Sequence, residues 1–292
     1  VSTLLAVDGD SFAHRAYHAL PKSIRLNAVV GFTNMLTRLW QQEEPAAVLV
    51  AWDTLSVPTY RHEAFAAYQS GRVFDESLLE QLELLPKLVD AFGFASVKAA
   101  GYEADDFLAA ATRAWPGEVL VATSDRDAFQ LASDRVTILQ PARAGSAPGK
   151  AGDARQQIPG RRGRPGRGVS ELARIGPTEV RERYGVEPGQ VPDLIALRGD
   201  PSDKLPGARG VGPKKAAELL RQYGTLEAAL ADGRFAAEAE DLRLFRRIAT
   251  MDASAPLPPL RETTPTWAEA SAFLDGLGLG GVAGRVAALA PE

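Results

Sequence analysis

Leu4-Leu5-Ala6-Val7-Asp8, Val48-Leu49-Val50-Ala51-Trp52-Asp53 and Val119-Leu120-Val121-Ala122-Thr123-Ser124-Asp125 share one pattern. Each is a short, uniformly apolar run that ends in a carboxylate. Runs of this length with no polar alternation are strands buried on both faces. Between them, residues 29–42, 76–92 and 105–114 carry apolar side chains at three- and four-residue spacing, which predicts amphipathic helices. Strands alternating with helices give an α/β fold around a parallel sheet. Residues 136–139 are expected to add one more strand.

The fold prediction carries a prediction about chemistry. In an open parallel sheet, ligands bind outside the carboxyl ends of the strands. Asp8, Asp53 and Asp125 therefore converge on one rim. A single Asp after a strand is ordinarily a helix cap, but three together exceed that need. Glu103-Ala104-Asp105-Asp106 opens a predicted helix, and Asp125-Arg126-Asp127 follows a strand. Carboxylates this dense repel one another unless cations neutralise them. An all-oxygen donor set favours Mg²⁺ or Mn²⁺ over Zn²⁺. Two such ions about 3.5–4 Å apart are the usual arrangement for phosphodiester cleavage.

Composition narrows the alternatives. The 292 residues are 45% hydrophobic, enough for a substantial core and about two domains. There is no Cys, which excludes disulfides, thiolate nucleophiles and Cys-based metal sites, and only three His. His14 and His18 are four apart, but with no third nitrogen or sulfur ligand they read as helix-face residues. No apolar stretch is long enough to span a membrane. The first eight residues lack the pattern of a signal peptide, so a cytoplasmic setting is expected. The net charge of −4 is unevenly spread: −6 over residues 1–149, +6 over 150–223 and −4 over 224–292. A basic middle suits a phosphate-bearing partner, while an uneven solvated surface is the plainer explanation.

That middle begins with residues 144–168, rich in Gly, Pro and Arg and nearly devoid of large apolar groups. The composition predicts disorder, as a basic arm or a linker. Helices are then expected over 177–184, 191–198, 213–223 and 226–230, with more helical pattern over 234–251 and 266–289. Between the second and third lies Gly199-Asp200-Pro201-Ser202-Asp203-Lys204-Leu205-Pro206-Gly207-Ala208-Arg209-Gly210-Val211-Gly212-Pro213-Lys214-Lys215. Glycines there free backbone N–H groups to face an anion. Lys214 and Lys215 in the first helical turn oppose the helix dipole, so a nearby phosphate explains them better than helix stability. Together these features suit a grip on a nucleic-acid backbone without base reading.

Residues 7–20, 60–72, 101–110, 123–131 and 199–220, in this order, resemble the bacterial 5′→3′ exonuclease and flap endonuclease family, which includes the N-terminal nuclease domain of DNA polymerase I. The resemblance covers most of residues 3–225. It implies a PIN-like nuclease core over 1–143, the insertion at 144–168, a helix–three-turn–helix DNA-binding region over 169–232 and a C-terminal helical region over 233–292. It implies metal-dependent 5′→3′ exonuclease and 5′-flap endonuclease activity on DNA by two metal ions, including RNA-primer removal. Asp8, Asp53, Glu103, Asp105, Asp106, Asp125 and Asp127 would hold or surround the metals, with Asp200 and Asp203 at the second position. Arg15 would steer the scissile phosphate, Tyr68 would stack on a base and Arg72 would meet phosphate. Gly207, Gly210 and Gly212 would present backbone to a duplex, with a K⁺ ion, beside Lys214 and Lys215. The implied partners are flap, nicked or 5′-ended DNA and RNA–DNA primer junctions, bound by a monomer.

Departures from the family pattern qualify this. Gln69 stands where many relatives carry a Lys that supplies charge to the reacting phosphate; Arg72, Lys22 or Arg25 could substitute. Lys204 replaces a customary Asn. The segment 21–27 is short, residues 144–168 look inserted, and Asp10 is not counted as a ligand. No polymerase region follows, which suggests a stand-alone nuclease. A non-catalytic module for branched DNA and a PIN-like ribonuclease stay open as alternatives.

Overall fold

A computed structural model describes residues 2–71, 73–141 and 172–291. Arg72 and the 144–168 insertion lie outside the described residues. The chain runs β1 (Thr3–Asp8), α1 (Gly9–Ala19), α2 (Asn27–Glu43), β2 (Ala47–Ala51), α3 (Tyr60–Ala64), α4 (Glu76–Ala91), β3 (Ala95–Val97), α5 (Ala104–Ala114), β4 (Glu118–Ala122) and β5 (Val136–Pro141). Then come β6 (Leu172–Ile175), α6 (Pro177–Tyr184), α7 (Val191–Arg198), α8 (Pro213–Tyr223), α9 (Leu226–Ala231), α10 (Ala239–Ala249), α11 (Trp267–Gly276) and α12 (Gly280–Ala287).

The six strands stand in the order β3-β2-β1-β4-β5-β6. The first five are parallel, and β6 returns antiparallel to β5, with Ile138 opposite Ile175. Alternation of side chains across the sheet divides the core in two. Leu4, Ala6, Leu49 and Val121 face one layer with α5, α7, α8 and α10. Leu5, Val7, Val50 and Leu120 face the other, with α1, α2, α4, α11 and α12. Both faces are covered, which is why the central strands carry no polar alternation.

Residues 172–175, read from sequence with the helical region, join the sheet as its sixth strand. The C-terminal helices also differ from a separate region. Trp267 packs edge-on against Trp40 and Phe92, and Ala270 and Leu274 are fully buried with them. The 266–289 pattern is split where Gly278 takes φ +75° between α11 and α12. Among the described residues, no helix is long and apolar enough to cross a membrane.

The turn joining α7 to α8 depends on two close backbone approaches. A Cβ on Gly207 (φ +72°) would overlap the Gly199 nitrogen, and one on Gly199 would lie 2.6 Å from the Leu205 carbonyl. Asp200 and Leu205 pair there across a bridge, N–H to O at 2.8 and 2.9 Å. This crossing fixes the Asp200–Lys204 turn against the sheet rim.

Candidate active site

The rim at the carboxyl ends of β1, β2 and β4 holds a cavity of about 490 Å³. Its acidic lining is Asp8, Asp10, Asp53, Glu103, Asp105, Asp125, Asp127 and Asp203. The acids arrive on several elements, and hydrogen bonds between elements hold most of them. Asp8 ends β1 and caps α1, accepting the Ser11 N–H at 2.9 Å and the Thr123 hydroxyl at 2.7 Å. Thr123 in turn accepts the Asp125 N–H, and Asp125 accepts the Asp127 N–H. On the other side of β1, Asp10 accepts the Asp53 N–H and Asp53 accepts the Ala104 N–H, both at 2.7 Å. Glu103 precedes α5 and accepts hydroxyl protons from Thr59 and Tyr68, each at 3.0 Å.

Burial dominates the electrostatics. It pushes the carboxyls of Asp8 and Glu103 up to about 7, with the Asp53 charge adding to both. Asp10, Asp105 and Asp127 are driven well above the usual carboxylate range by burial and by neighbouring acids. Asp127 feels Asp125, Asp203 and Asp200, so the helical turn contributes to this field. Buried like charges of this density are a functional signature rather than a stabilising one.

The donor set fits hard divalent cations. Asp105 Oδ1 is buried with no hydrogen-bond partner, an orphan that an oxygen-seeking cation would satisfy. Among the described residues, no three His, Asp or Glu side chains close into a ready-made cage. The acids instead line a basin, which suits a hard divalent cation that keeps some of its waters.

Several expected residues stand elsewhere. Asp106 is fully buried outside the cavity, in a bidentate pair with Arg61 at 2.7 and 2.8 Å. It also accepts the Glu103 and Asp252 N–H groups. Its geometry suits orienting α5, not reaching a metal. Tyr68 lines the cavity but is only 3% exposed, its hydroxyl on Glu103 and its ring edge-on to His62. It has no free face on which a base could stack, so its place is structural support beneath Glu103. Arg15 does not line the acid basin. It lines a separate small cavity with Phe12, Arg38 and Leu172. Asp200 sits behind the basin, accepting the Ser202 N–H, while Asp203 enters it. Lys22 pairs with Asp75, and Arg25 donates to the Leu277 carbonyl, so neither replaces the charge absent at Gln69. Arg72 lies outside the described residues.

Two features went unread. Asp10 joins the basin; the spacing Asp8-Gly9-Asp10 at a strand-to-helix junction is the signal for it. Near the glycine turn, Lys214 lines a 340 Å³ groove with Arg183, Arg198 and Arg221. Gly210 (φ +70°) and Gly212 face open space at the α8 N-terminus, and Lys215 is exposed beside them. His14 reaches the basin wall and packs on Phe74, with its ring 5.4 Å away.

Comparison with known proteins gives the family and the fold. The family described as 5'-3' exonuclease, N-terminal resolvase-like domain, matches residues 3–185. The one described as 5'-3' exonuclease, C-terminal SAM fold, matches residues 186–269. DNA polymerase I of Deinococcus radiodurans is 40% identical over 234 residues, covering 77% of this chain and 21% of that protein. The chain thus spans about a fifth of that relative's length. The T5 5'-exonuclease with bound zinc superposes with TM-score 0.66 at 18% identity, over 99% of this chain and 100% of that one. The catalytic core of Rad2 with DNA substrate gives 0.61 at 14%, over 99% and 92%. The chain belongs to the 5′-3′ exonuclease family.

Proposed function

We propose that this member of the 5′-3′ exonuclease family hydrolyses DNA phosphodiester bonds with divalent metal ions, acting at 5′ ends and at the junctions of 5′ flaps. The observation that carries this reading is the basin itself. Seven acids from the sheet half meet Asp203 from the helical half, beside a glycine turn flanked by cations. Asp8, Asp10, Asp53, Glu103 and Asp105 would hold one side of the metal site, and Asp125, Asp127 and Asp203 the other. Bound Mg²⁺ would neutralise these acids, polarise a phosphoryl oxygen and make water acidic enough to attack.

The chain's own residues do the rest. Gly210 and Gly212 offer backbone to a duplex phosphate, and Lys214 and Lys215 add charge without reading bases. The four-cation groove extends that track. We assign Mg²⁺, with Mn²⁺ as substitute, as the working ion and K⁺ as an occupant of the glycine turn. Primer junctions of RNA and DNA, a monomeric state and a cytoplasmic role in replication and repair complete the proposal.

The test is a nicked duplex with a labelled 5′ flap, incubated with Mg²⁺, with EDTA, and with Asp127→Ala protein. Cutting near the junction should require Mg²⁺ and fall at least about 10²-fold in the variant while flap binding persists. Undiminished cutting by Asp127→Ala would refute the metal assignment. Preference for single-stranded RNA over the flap would favour a ribonuclease, and binding without cutting a recognition module.

A further inference from the structure

We propose that Lys204 is a catalytic residue whose ammonium meets the scissile phosphate at the mouth of the acid basin. This rests on the nuclease reading above and adds a residue to it. A phosphodiester entering the basin meets eight carboxylates. Two divalent cations would not neutralise them all, so the extra negative charge of the transition state calls for a further cation.

Four nearby cations are already engaged. Arg61 is held by Asp106 and Glu103. Lys22 is held by Asp75, Arg25 by the Leu277 carbonyl, and Arg198 lies 3.8 Å from Asp200. Lys204 differs. Its Nζ donates to the neutral hydroxyl of Ser70 at 3.0 Å. It is exposed, and it follows Asp203, which lines the basin.

The backbone around it is unusual. Among the described residues, five non-glycine residues have positive φ, and two of them are Gln69 (+46°), which lines the basin, and Lys204 (+58°), which follows the basin residue Asp203. Gln69 Nε2 donates to Asp203 Oδ1 at 3.0 Å and to the Tyr68 hydroxyl at 2.8 Å. The bonds Gln69–Asp203 and Ser70–Lys204 thus join the segment before α4 to the turn before α8. Left-handed backbone at non-glycine residues is held by surrounding structure and concentrates at functional sites. Here the exposed Lys204 ammonium is tied to Ser70, the residue after Gln69, whose amide lines the basin. Ser70 holds the ammonium at rest; phosphate, an anion, is the stronger acceptor.

Lys204 exchanges no proton in this scheme. Water adds to phosphorus and gives up a proton to solvent, one P–O ester bond breaks, and the leaving oxygen takes a proton from solvent. The ammonium stabilises the charge gathered on the non-bridging oxygens.

The decisive variant is Lys204→Asn, because Asn tolerates left-handed φ better than Lys and should melt no lower than wild type. Single-turnover cutting of the flap substrate with saturating Mg²⁺ should fall about 10²-fold, with flap affinity changed less than about threefold. Adding Gln69→Lys to Lys204→Asn restores an ammonium from the facing side and should recover at least about tenfold of that loss. Cutting by Lys204→Asn within about threefold of wild type overturns the proposal, as does a loss seen only in affinity or a double variant no faster than the single. A wild-type chain that cuts no flap with Mg²⁺ or Mn²⁺ overturns the nuclease reading and this inference with it.

Discussion

Replacing Arg61 with Met should destabilise the protein far more than its position in a five-residue helix suggests. The side chain is 3% exposed and makes two short bonds to Asp106, one to the Ile248 carbonyl at 2.9 Å and a longer contact to Glu103. Methionine keeps most of the apolar stem but leaves Asp106 as a fully buried charge. The Glu103 and Asp252 N–H groups and the Tyr60 hydroxyl still reach it, yet none carries a charge. Removing one partner of a buried pair costs about 3–5 kcal/mol. For a chain of this size that is a Tm lower by roughly 6–20 °C. Arg61→Met/Asp106→Asn removes the stranded charge while keeping an oxygen acceptor, so it should recover more than half of the loss. Denaturant melts of the wild type, the single variant and the double variant give the numbers. A single variant within about 1 kcal/mol of wild type, or a double variant no better than the single, would show that the pair is not the brace between α3, α5 and α10.

With EDTA, stability should fall as pH rises through about 7. Asp8 and Glu103 titrate near there in the folded chain, so between the ordinary carboxylate range and pH 7 the folded state binds more protons than the unfolded one. Melting at pH 5.5 and pH 8 checks the sign, which saturating Mg²⁺ should flatten; an EDTA-treated chain that melts higher at pH 8 would reverse the argument. Replacing both Lys214 and Lys215 with Ala should weaken duplex binding at every sequence and lower the log–log salt slope by about 2. An unchanged slope would remove these lysines from the phosphate track.

Legibility followed locality. β1, β2 and β4 could be read because each is buried on both faces and runs to an acid of the basin. α6 and α8 could be read because Pro opens each and Gly follows each. β3 is three residues with no pattern of its own, and β6 is four residues whose partner lies across the Arg-rich tract. Their pairing is a tertiary fact. The same limit applies inside the site. Asp105 and Asp106 are neighbours in sequence, but successive helical residues point about 100° apart. One reaches the basin and the other reaches Arg61, which lies 45 residues upstream. Tyr68 carried no sequence signal for its buried hydroxyl contact with Glu103.

The arrangement of acids also explains how a fold tolerates them. Several of the carboxylates that strain the basin hold another element in place. Asp10 fixes the chain after β2, Asp53 fixes the start of α5, and Asp8 reaches β4 through Thr123. All three of these hydrogen bonds are 2.7 Å long, which puts them among the stronger kind. Mutual repulsion is therefore offset locally, acid by acid, rather than by the core as a whole. Asp203 stands outside this scheme. It comes from the helical half, and the neutral Gln69 amide ties it to the sheet half. A cation shared by Asp127 and Asp203 would consequently do more than neutralise charge. It would link the sheet rim to the α7–α8 turn, so that metal binding and docking of the DNA-gripping turn stabilise one another.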